Sequence, residues 1–131
     1  MTTFDFEDGN GPVPAHRHVN GGGWVADTSR LANTVYVGPD ARVFGYALVF
    51  ESVKILDQAR VYGEAMIYRK AQVSGAAQVF ERARVLGRAK ISGSAKIFGE
   101  AVICGEAEIS GSDSFSGKTR IYVCQKKGRV Q

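Results

Sequence analysis

Between residues 25 and 121 every sixth residue is apolar, without a slip: Val25, Leu31, Val37, Val43 and onward to Ile109, Phe115 and Ile121. Four places after each comes a mostly small residue. Ser29, Val35, Ala41, Ala47 and Val53 open this second series, alanine fills every sixth position from 59 to 107, and Asp113 and Thr119 close it. Self-similarity at a short fixed period is the signature of a solenoid, and a hexapeptide period indicates a parallel β-helix. Two places after the apolar residue the chain favours glycine, as at Gly45, Gly63, Gly75 and Gly99, or else Asp27, Asn33 and Asp57. These residue types tolerate positive φ, so a tight bend is expected once per hexad. Glu51, Arg69 and Glu81 occupy the same position and predict corners that are either more strained or differently shaped.

The repeat (aliphatic, variable, often Gly, variable, small, variable) resembles the hexapeptide-repeat family of left-handed β-helices, over sixteen uninterrupted hexads. That resemblance implies an all-β fold, a single left-handed parallel β-helix of about five triangular coils, with three hexads and eighteen residues to a coil. At about 4.8 Å between strands the column would stand roughly 25 Å tall. Its open ends need caps against edge-to-edge stacking. The expected division is an N-terminal capping segment 1–24, the β-helix 25–121 and a C-terminal tail or cap 122–131. Phe4, Phe6 and Trp24 are the candidate anchors of the first cap, and residues 3–6 suit a short strand. Asp113 at an inward corner predicts an irregular last coil.

The length of 131 residues fits one domain. No apolar run is long enough to span a bilayer and no secretory leader is evident. Cys104 and Cys124 supply no metal or disulfide framework, so reduced thiols and a cytoplasmic location are expected. A net charge of +4 suits an anionic ligand but is too small to argue for a nucleic-acid polymer.

With eighteen residues to a coil, outward side chains sort onto three faces. The first carries Ala26, Phe44, Tyr62, Phe80 and Phe98 beside Trp24, Arg42, Arg60, Gln78 and Lys96. The second carries Ala32, Phe50, Tyr68, Leu86 and Cys104 beside Arg30, Leu48, Met66, Arg84 and Val102. The third is mostly Ser, Lys, Gln and Glu, which suits water. Two apolar stripes exceed what a soluble monomer usually exposes, so the first two faces are expected to meet in a homotrimer, the usual assembly of the family this chain resembles. The competing reading is that the aromatic column only stiffens its sheet. The arginines among these rings either hold an anionic ligand or pair with corner carboxylates such as Glu64, Glu81 and Glu100 of a neighbouring copy.

Most characterised members of the resembled family are acyltransferases, which need a histidine as general base and often a loop that shapes the substrate site. This chain has only His16 and His18, both before the hexads, and no interrupting loop. The three-histidine zinc arrangement of the carbonic anhydrase branch is also short of ligands, and the glycines at 21–23 promise a loose flank. No phosphate-binding loop, nucleophile motif or dinucleotide fingerprint occurs. Residues 14–27, from Pro14 through His16, His18 and the glycines to Asp27, resemble the start of short hexapeptide proteins of phages and prophages.

The reading that follows is a non-catalytic trimer that sequesters an anionic, nucleotide-like small molecule in inter-subunit clefts, as a phage sponge against host nucleotide signalling. Arg42, Arg60 and Arg84 would grip phosphates with Lys96 nearby, and Tyr62, Phe80 and Tyr68 would stack on bases. No cofactor, metal or membrane is called for. Two rivals are a CoA-dependent acyltransferase or inactive relative, and a structural or protein-binding module, such as an inhibitor, that uses the polar third face and the corners with Arg69-Lys70 and Glu81-Arg82.

Overall fold

A computed structural model describes residues 2–7, 9–112, 114–115 and 117, together with the backbone of 120–123. Asp113, Cys124 and most of the expected C-terminal cap lie outside the described residues. The hexads from residue 30 onward each give one short strand, as at Arg42–Val43, Leu48–Val49 and Lys54–Ile55. Each strand pairs in parallel with the one a full coil later: Val43 with Val61, Val61 with Val79, Val79 with Ile97. The backbone N–H of an outward residue donates to a carbonyl of the next coil, as from Arg42 to Ala59 at 3.1 Å and from Tyr62 to Val79 at 3.0 Å. The result is a β-solenoid of about five turns with three sheets, one per face.

The core is the double series read from the sequence. Val43, Val49, Ile55, Ile67, Ile91 and the alanines between them are fully buried in one continuous cluster along the axis. Burial of each aliphatic side chain contributes about 1.5–3 kcal/mol. The second series, Val35, Val53 and the alanines, is fully buried at the corners and fills them with small side chains.

The corners show why glycine recurs. Gly63 has φ 69°, and a Cβ there would lie 2.7 Å from the backbone nitrogen of Glu81. The predicted strain at Glu51, Arg69 and Glu81 is present, with φ of 65°, 69° and 58°, and Asp57 joins them at 57°. Three of these residues have a compensating bond. The carboxylate of Glu51 accepts from the Arg69 N–H at 3.1 Å, that of Asp57 from Gly75 at 3.0 Å, and that of Glu81 from Gly99 at 2.8 Å. An acidic corner thus fastens itself to the corner stacked beside it.

At the N-terminus three strands, β1 (Thr3–Asp5), β2 (Pro12–Arg17) and β3 (Trp24–Ala26), extend the first sheet. β2 runs antiparallel to β3, with Arg17 opposite Trp24, and β1 runs antiparallel to β2. This hairpin covers the first-coil edge of that sheet, which blocks stacking of another strand there. The glycine run is not loose. Gly23 donates to the Val37 carbonyl and Asn20 accepts from the Val37 N–H, both at 3.0 Å. A side chain on Gly21 or Gly23 would collide with the carbonyls of Val37 and Gly38. His18, 5% exposed, donates its Nε2–H to the Val35 carbonyl at 2.8 Å, which makes it a part of the cap. No helix among the described residues is long and apolar enough to cross a membrane.

Candidate functional site

Of the seven residues proposed for ligand binding, Arg42, Arg60, Tyr62, Phe80 and Lys96 lie on or just after strands of the first sheet, whereas Tyr68 and Arg84 belong to the second. One protomer therefore places five on one face, of which Arg42 and Arg60 line a common groove, and holds two on another face. The five follow from register. Arg42 pairs with Arg60, Arg60 with Gln78 and Gln78 with Lys96, so their side chains form a column one strand apart.

The aromatic column is a continuous stack. Phe44, Tyr62, Phe80 and Phe98 follow at centroid distances of 4.7, 4.9 and 4.9 Å, with interplanar angles of 3–4°. Both ring faces of Tyr62 and of Phe80 are thus covered by neighbouring rings. This corrects the role expected for those two residues: they offer ring edges to a ligand, and no open face on which a base can stack. The Tyr62 hydroxyl donates to Gln78 Oε1 at 2.9 Å. Burial raises the Tyr62 pKa above its usual 10.0; Arg60 opposes the rise and Glu81 adds to it.

The hairpin completes the stack in a way that the hexad register does not foretell. Ala26, the residue due at the head of the column, is too small to continue it. Phe6 takes the place, stacked on Phe44 at 4.7 Å and only 1% exposed. Phe4 meets Phe6 edge-on at 4.8 Å and stacks on Trp24 at 4.6 Å. Arg42 lies 5.1 Å over Phe4, and Arg17 lies 4.8 Å over Trp24.

Beside this cluster runs an open groove of about 700 Å³, lined by Phe4, Arg17, Trp24, Arg42, Arg60, Gln58 and Gln78, with Asp40 at the corner. Three guanidinium groups border it. Arg17 donates to the Gly22 carbonyl at 3.0 Å. Arg42 and Arg60 converge on one carboxylate oxygen, Glu7 Oε1, with Arg42 Nη1 at 3.1 Å and Arg60 Nη2 at 3.9 Å. Sequence reasoning named Phe4 and Phe6 only as cap anchors, placed Trp24 both there and at the head of the Arg42 column, where it pairs with Arg42, and missed Glu7 and Arg17. Neither belongs to the hexads, and both reach the site through the hairpin.

His16 is exposed, with Nδ1 2.7 Å from Asp27 Oδ1. No group of three histidine, cysteine, aspartate or glutamate side chains among the described residues is placed to hold a metal. Of the three corner carboxylates that could face a neighbouring copy, Glu64, Glu81 and Glu100, two have partners in this chain: Glu64 pairs with Arg82 at 3.2 Å and Glu81 holds the Gly99 N–H. No protein-family model, curated protein or solved structure matches the chain.

Proposed function

We propose that this protein binds an anionic, nucleotide-like small molecule at the Arg42–Arg60 groove and sequesters it unaltered. The observation that carries the reading is the convergence of two arginine forks on a single carboxylate oxygen. Two guanidiniums one strand apart, both partly exposed, are built to share an oxyanion. Gln58 and Gln78 add amide groups for a base edge, since Gln78 uses only its oxygen on Tyr62.

The division of the predicted residues supports assembly as a trimer. The second face holds Leu48, Met66, Tyr68, Leu86 and Val102 half-buried and Phe50 36% exposed, an apolar surface in want of cover. If it packs on the first face of a neighbour, Tyr68 and Arg84 of one copy join Arg60, Phe80 and Lys96 of the next. A cytoplasmic sponge that depletes a nucleotide signal, of the kind phages deploy, is the role that suits such a binder.

The test is a melting-shift panel of cyclic mono- and dinucleotides, ADP-ribose derivatives and acetyl-CoA, followed by denaturation and chromatography of the released ligand. A shift with the ligand recovered intact supports sequestration. A shift with an altered ligand makes the protein an enzyme, and no shift leaves a protein partner as the better account. Arg60→Ala should weaken binding about tenfold or more, as loss of a charge-assisted contact does.

A further inference from the structure

The anion that the two arginines hold is supplied by the chain itself. Glu7 follows directly on Phe6, which is buried and stacked at the head of the ring column. The Glu7 backbone has φ 61°, and its N–H donates to Asp5 Oδ1 at 2.8 Å. This turn aims the carboxylate at Arg42 Nη1. Beyond it the hairpin loop passes Gly9 and Gly11, with φ of 90° and 68°; a Cβ on either would meet nothing within 4 Å. The segment is anchored on both sides, by Phe6 stacked on Phe44 and by Pro12 paired with Asp5, and the Glu7 side chain is the exposed part between them. Glu7 is 67% exposed over Arg42 and Arg60, which are 26% and 37% exposed.

We infer that Glu7 is a built-in competitor, a latch that occupies the Arg42–Arg60 site until a phosphate-bearing ligand displaces it. The inference rests on the proposed reading of that site as an anion site. Rotation about the side-chain bonds of the exposed Glu7 lifts the carboxylate away while Phe6 stays stacked, so opening does not unfold the cap. The latch lowers apparent affinity by the fraction of time it is closed. It also favours ligands with two adjacent negative groups, because a single carboxylate already satisfies one oxygen's worth of the pair. A diphosphate can engage Arg42 and Arg60 together, one strand apart, where Glu7 offers one oxygen at unequal distances.

The experiment measures inorganic pyrophosphate binding by calorimetry and by the fluorescence of Trp24, the only tryptophan, which lines the groove. Glu7→Gln keeps the side-chain shape and removes the charge. Exposed ion pairs are modest, so Glu7→Gln is expected to bind about three- to fivefold more tightly than the unsubstituted protein. Arg42→Ala should lose most binding, and adding Glu7→Gln to Arg42→Ala should restore less than Glu7→Gln gains alone. An undiminished gain in the Arg42→Ala background would mean general charge repulsion and would overturn the latch. So would unchanged affinity in Glu7→Gln while Arg42→Ala weakens binding, but the anion site would then stand. Absence of pyrophosphate binding in the unsubstituted protein and both single variants would overturn the anion site and the latch together.

Discussion

Tyr62 stands between two phenyl rings, and its burial resists ionisation. The unfolded chain ionises this phenol near its usual pKa, whereas the folded chain does so only at higher pH. Over that interval the unfolded state has released more protons, so this group's contribution to stability is whole below about pH 10 and is lost as pH rises through the folded value. Tyr62→Phe should therefore show a shallower fall of melting temperature between about pH 9 and pH 11; an equally steep fall would remove burial of Tyr62 as a cause. The acidic corners make a second residue-scale prediction. Glu81→Ala keeps the positive φ but loses the bond to Gly99, and should cost about 1 kcal/mol in chemical denaturation. Glu81→Gly loses the same bond yet relaxes the backbone, and should stay within about 0.5 kcal/mol of the unsubstituted protein. That order reverses the usual one, in which alanine is the better residue in a regular element. Finding alanine the more stable would mean that the corner is not strained.

At the scale of elements, the hairpin β1–β2 is the part whose loss should tell most. Phe6 is its main apolar contact with the solenoid, packed with Ala15, Ala26 and Phe44. Phe6→Ala is expected to cost about 3 kcal/mol and to expose Trp24, read as a red shift of its fluorescence. A cost under about 1 kcal/mol would show that β2 alone holds the cap. The strands of the column are legible in the sequence, because each is specified by its own six residues and repeats the same inward pair. The three faces are legible too, since stacking at eighteen residues is a matter of counting. Of the hairpin, a short strand within 3–6 and the anchors Phe4, Phe6 and Trp24 are legible, but their partners are not, because Phe6 finds Phe44 and Glu7 finds Arg42 across long sequence separations that no period marks. The glycines at 21–23 mislead for a related reason. Composition alone cannot separate a glycine that is mobile from one pressed against the carbonyls of Val37 and Gly38. The stacking role expected of Tyr62 and Phe80 fails differently: counting places the column correctly, but rings one strand apart cover one another.

For the whole molecule, each coil touches only the coils next to it, so stability is a sum of repeats and the interfaces between them. The strand pairing returns to the same face every eighteen residues, as when Asp57 reaches Gly75 and Glu81 reaches Gly99. Deleting residues 62–79 should therefore leave a folded, shorter column in which Phe80 takes the place of Tyr62 on Phe44 and Lys96 follows Arg60. Circular dichroism and the melting curve would report it, and a chain that fails to fold would contradict nearest-neighbour stacking. Deleting only 62–67 removes one side of the triangle instead. The inward series stays in phase, so the core survives, but every later side chain moves round by one face and Tyr68, Leu86 and Cys104 line up under Phe44. The interior of this protein counts in sixes and its surface in eighteens. Small insertions or losses can thus re-clothe the outside in a single step while the inside remains unaware of the change, which gives such a chain a short route from one binding surface to another.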